Sequence, residues 1–120
     1  MKLDVIQLLR SADELAKFLY SRGARRLKIS YDFGEESSYC AIAAPDLALL
    51  PPDEERLRKI FSGPIQPEIA SYYGSLAGRR RDESELELLG TMAELEDLVV
   101  SPELGTTIVI SRREAEYFRK

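Results

Sequence analysis

The segment Ser84 to Arg112, SELELLGTMAELEDLVVSPELGTTIVISR, decides the architecture because its hydrophobic period changes part-way along. In its first half Leu86, Leu89, Ala93 and Leu95 to Leu98 recur at helical spacing, and Ser84 stands where a side-chain oxygen caps a helix start. Leu98-Val99-Val100 and Thr106 to Ser111 are rich in β-branched residues and predict two strands, joined through the turn Ser101-Pro102-Glu103-Leu104-Gly105. A helix leading into a strand pair must cover one face of a sheet.

Working back toward the N-terminus, Val5, Leu8, Leu9, Ala12, Leu15, Ala16 and Leu19 fall three and four apart and predict an amphipathic helix ending at Gly23. Ser11 with Glu14 has the form of a capping box, so the segment reads as one helix or as two pieces. Leu27, Ile29, Tyr31 and Phe33 alternate with Lys28, Ser30 and Asp32, the period of a half-buried strand. Gly34 to Ser37 forms the turn, and Tyr39 to Ala44 supplies the antiparallel neighbour. After Pro45, Pro51 and Pro52, Asp53 is expected to cap a short helix through Phe61. Pro67 opens a further helix with Ile69, Ala70, Tyr73 and Leu76 on its apolar face, and a tail helix is expected over Arg112 to Arg119. The expected fold is α/β in the α+β sense: one domain over residues 1–120, a two-layer sandwich of about four mixed or antiparallel strands with helices on one face.

Composition narrows the function. The chain has 120 residues and 13.6 kDa, with 44% hydrophobic and 32% charged residues, a globular balance that builds a core without metals or disulfides. No apolar run reaches the ~20 residues that span a bilayer, the N-terminus does not read as a signal peptide, and the expected setting is cytoplasmic. Cys40 is the single cysteine and lies in an apolar run, so it reads as a buried thiol. A net charge of -4 disfavours nucleic acid as a partner. The basic run Arg79-Arg80-Arg81 is followed at once by Asp82, Glu83, Glu85 and Glu87, which read as a solvated helix start rather than a metal site. Histidine, asparagine and tryptophan are absent, so a phosphoacceptor imidazole and its base chemistry are unavailable within the chain.

The order of these motifs resembles the GHKL superfamily, the ATP-binding domain of histidine kinases, type II topoisomerases and anti-sigma-factor serine kinases, and the layout is most similar to the last group. Ser11 to Leu19, followed by Gly23-Ala24, is similar to the family's first helix, and Gly90 to Val100 followed by Ser101 to Thr107 is similar to its closing helix, strand, turn and Gly-Thr-Thr strand. The resemblance implies a histidine-kinase-like ATPase fold, ATP with magnesium as cofactor, Glu14 as catalytic base, and Asp46, Gly105, Thr106 and Thr107 on the nucleotide. The departures from that pattern point elsewhere. Phe18 falls where the family has its magnesium-binding asparagine, and a phenyl ring offers no oxygen to a hard cation. Ala43-Ala44-Pro45-Asp46 lacks the family's glycines, and Gly74 and Gly78 are isolated, without a phosphate cradle.

The expected function is therefore a non-enzymatic, GHKL-like regulatory domain without cofactor or metal, with another protein as its partner. Tyr72 and Tyr73 are its interface candidates, and the space near the lost site is expected to be filled by side chains such as Phe18 and Tyr73. A homodimer through an exposed sheet edge or the first helix fits the same pattern. The alternative is a divergent ATP-binding protein or serine kinase of the anti-sigma type, and a third reading is an unrelated α/β sandwich.

Overall fold

The computed structural model describes residues 3–62 and 86–113. Helix α1 spans Leu3–Ser21 and is one continuous helix. Its Leu8, Ala12, Leu15 and Leu19, spaced on one face, are all fully buried. Ser11 does not cap a second start. Its hydroxyl donates to the Gln7 carbonyl oxygen one turn earlier at 2.8 Å, the back-bonding open to serine inside a helix. Gly23 has φ of +113°, and paired bonds from Ala24 N–H to Leu19 O and Gly23 N–H to Tyr20 O close the last turn as the sequence expects.

Strands β1 (Lys28–Phe33) and β2 (Ser37–Ala44) form the expected hairpin, with Tyr31 opposite Cys40 and Ile29 opposite Ile42. Helix α2 runs over Pro51–Ser62 and begins before Asp53, because Pro51 suits a first helical position and Asp53 and Glu54 donate their N–H groups to the Leu50 carbonyl. The Asp53 carboxylate binds Arg22 instead of capping the helix.

The largest departure from the sequence reading lies at Leu95 to Leu98. The helix before it is short, α3 (Leu89–Met92), and strand β3 already begins at Glu94 and runs to Ser101, where a turn leads into β4 (Gly105–Arg113). The ladder with β4 skips Glu96, so Leu95 pairs with Ile110 and Asp97 with Val109. This bulge puts Leu95 and Leu98, three apart, on the same face, which imitates the spacing of a helix. Strand β4 also continues to Arg113, where a tail helix was expected to start at Arg112.

The sheet order is β1-β2-β4-β3 and each neighbouring pair is antiparallel. The fold is thus α+β, an open four-stranded antiparallel sheet with helices packed on it. Helix α1 lies on the central strands β2 and β4, and α2 packs on β3 and α3. Between the layers Leu8, Leu15, Leu19, Ile42, Leu57, Leu89, Ile108 and Ile110 form a fully buried core. Among the described residues, no helix is long and apolar enough to cross a membrane.

Candidate functional site

The candidate residues converge at the corner where β2 ends, β4 begins and the Pro45–Leu50 loop passes to α2. Gly105 opens β4 with φ of +83°, and a Cβ there would overlap the Ala44 carbonyl oxygen and crowd Pro45. Only glycine lets the two backbones approach this closely. Thr106 follows at 0% exposure, paired with Ala44 on β2 and Val100 on β3. Its hydroxyl donates to the Leu47 carbonyl oxygen at 2.7 Å and accepts from the Leu49 N–H at 3.1 Å. That one hydroxyl satisfies a donor and an acceptor of the loop, the Leu49 N–H being buried and the Leu47 carbonyl partly so.

Asp46 lies in the same loop and is exposed; its Oδ2 accepts the Arg25 N–H at 3.0 Å, tying the loop to the exit of α1. Thr107, the next residue on β4, is directed to the opposite face, between Ala43 and Val99. The structure therefore brings Asp46, Gly105 and Thr106 together and separates Thr107 from them.

Glu14 is on α1, its side chain 12% exposed, with Lys17 Nζ at 3.3 Å. Lys17 bridges to Asp13 as well, at 3.2 Å, and the Asp13 hydrogen bond, then the Glu14 one, raise the Lys17 pKa. Phe18, one turn further along, is 6% exposed and is part of the buried core itself. The Arg22 guanidinium lies 4.8 Å over the ring of Phe18, and its Nε reaches Asp53 Oδ2 at 2.9 Å. A ring, a guanidinium and a carboxylate thus fasten the end of α1 to the start of α2. Sequence reading missed this clasp, since Arg22 and Asp53 lie in separate segments and each has a local explanation.

The state of β1 corrects a second expectation, since its alternation predicts a half-buried strand. Every one of its residues is exposed, including Ile29 at 41%, Tyr31 at 39% and Phe33 at 54%. The rings of Tyr31 and Phe33 stack on one another at 5.4 Å. Beneath Tyr31, burial pushes the Cys40 thiol up to about 11, with the Tyr31 hydroxyl partly offsetting it. The Tyr31 hydroxyl is itself raised, by burial first and then by Cys40.

Among the described residues, no three acidic or cysteine side chains gather in a way that could hold a metal ion. Tyr72, Tyr73, Gly74 and Gly78 lie outside the described residues, as do Arg79 to Glu85. Compared with protein-family models, curated proteins and solved structures, the chain matches none.

Proposed function

We propose that this chain is a catalytically inactive regulatory domain of GHKL-like layout that acts in the cytoplasm by binding another protein. The observation that carries this reading is the employment of the residues a nucleotide would need. The Thr106 hydroxyl is committed to Leu47 and Leu49, and Phe18 is buried under the Arg22–Asp53 pair at the position where the family carries its magnesium ligand. A buried hydroxyl whose donor and acceptor are both used has little to offer a phosphate. The exposed apolar row of β1 supports contact with a protein.

The alternative, a divergent ATP-binding protein or serine kinase, draws its support from the exposed Asp46 carboxylate beside Gly105 and from the half-buried Glu14. Thermal unfolding with ATP, with and without magnesium, alongside calorimetric titration, separates the two. A binder at ~100-fold excess over its dissociation constant would gain about 2.7 kcal/mol and unfold several degrees higher. The regulatory reading expects no shift and flat heats. A magnesium-dependent shift that Asp46→Ala or Glu14→Ala removes would replace it with the nucleotide reading.

A further inference from the structure

We infer that two copies of this chain join edge to edge through β1, antiparallel, about a two-fold axis at Ser30, so that their sheets become one continuous sheet. This inference is independent of the nucleotide question, because oligomeric state and ATP affinity are separate readouts.

The argument begins with the free edge. Strand β1 is the terminal strand of the order β1-β2-β4-β3, without a bulge in its ladder, without proline and exposed along its whole length. Its hydrogen-bonding parity is fixed by the hairpin turn, where the Gly34 N–H donates to the Ser37 carbonyl oxygen. Alternation along an antiparallel ladder then turns the backbone groups of Ser30 and Asp32 toward β2 and those of Ile29, Tyr31 and Phe33 outward. The outward groups belong to the three residues whose apolar side chains are also uncovered. An edge whose outward donors and acceptors have no partner among the described residues, with an exposed apolar row, is a template for a further strand.

The sequence of β1 names a second copy as that strand. Pairing two β1 strands about Ser30 sets Ile29 opposite Tyr31, and Leu27 opposite Phe33, each contact occurring twice by symmetry. Both sets have outward-facing backbone groups, so each Ile29–Tyr31 pair exchanges its N–H and C=O bonds. On the other face the same register sets Lys28 opposite Asp32 twice, in the closely spaced, non-hydrogen-bonded kind of pair. The register centred one residue later sets Lys28 against Gly34 and Asp32 against Ser30, leaving both charges without a partner, and registers centred between residues put apolar side chains opposite polar ones. The register centred on Ile29 pairs Asp32 with Arg26, which lies outside the strand, so within Lys28–Phe33 charge complementarity and face matching select the same arrangement. In it the two apolar rows merge into one strip on the helix side of the joined sheet.

Sedimentation equilibrium on the full chain across a wide concentration range tests this. The expected result is a reversible monomer–dimer equilibrium that weakens with salt, as exposed ion pairs do. Lys28→Asp alone and Asp32→Lys alone should each weaken the dimer roughly tenfold or more, since the symmetry repeats each like-charge contact. A mixture of the two variants should form a heterodimer, and the chain carrying both changes should again form a homodimer. Should these variants fold poorly by circular dichroism, Ser30→Cys gives a second route: at the axis its two sulfurs meet, and mild oxidation should yield a covalent dimer while Cys40 stays buried. A wild-type chain that is monomeric throughout overturns the inference. So do dimers indifferent to both charge reversals, or a Ser30→Cys chain that does not cross-link while the wild type associates.

Discussion

The two edge strands of this sheet meet opposite fates. Strand β3 carries a bulge at Glu96, points Glu94, Glu96 and Asp97 outward, and lies against α2, whose Arg58 donates to the Leu98 carbonyl oxygen at 2.8 Å. Strand β1, on the other edge, has a regular ladder, six exposed residues and an apolar row on the side where the helices lie. Helix α1 packs chiefly on the neighbouring strands β2 and β4. The comparison teaches that alternation in sequence determines which face of a strand is apolar, whereas only the placement of helices determines whether that face is covered. It also identifies where disruption should unfold the chain and where it should leave the fold intact.

The largest expected effect is at the turn that joins β3 to β4. Gly105→Ala forces a Cβ against the Ala44 carbonyl and strains a backbone at φ +83°, and should destabilise by about 4 kcal/mol in urea denaturation. A second close approach holds α3 to α2, where a Cβ at Gly90 would overlap the Ile60 carbonyl oxygen. Gly90→Ala should cost about 2 kcal/mol, moderated by alanine's better helix propensity, with the loss read from the same urea midpoint. Thr106→Val keeps the shape but strips the hydroxyl from the Leu49 N–H and Leu47 C=O, and should also cost about 2 kcal/mol, while Thr106→Ser should recover much of it. If all three prove harmless, the covered side of the sheet is no better packed than the bare one and the comparison collapses.

The smallest effect is on the β1 side, at Cys40 beneath Tyr31. A thiol whose native pKa is raised to about 11, above its unfolded value, contributes stability that is fully present below the unfolded pKa and lost as pH rises toward 11. Stability should fall across pH 9 to 11 more steeply for the wild type than for Cys40→Ala. Below that window a thiol reagent should label Cys40 only when β1 peels away or the chain unfolds, which makes the labelling rate a gauge of how loosely the bare edge is held.

Much of this fold was legible in the sequence. The alternation of Leu27 to Phe33, the apolar stripe of α1 and its stop at Gly23 all act locally, and the structure follows them. Leu95 and Leu98 misled because a bulge makes residues three apart share a face, and a period cannot reveal one extra residue in a ladder. Ser11 misled because a hydroxyl can bond backward along a helix as readily as cap one. At the candidate site, the family resemblance grouped Asp46, Gly105, Thr106 and Thr107, whereas the structure turns Thr107 to the other face, and the commitment of the Thr106 hydroxyl to Leu47 and Leu49 joins distant parts of the chain. Local pattern carries no trace of such a bond.

The seam between β2 and β4 has a kinetic consequence. The hairpins β1–β2 and β3–β4 each close over a few residues, whereas the central ladder joins positions more than sixty apart, from Ala44 with Thr106 to Ser37 with Arg113. Loop closure across that span must precede any of the contacts that reward it, so the hairpins form early and their docking limits the rate. Until that docking is complete, β2 and β4 each have one open edge, and the chain is most exposed to mispairing in the interval before its two halves find each other.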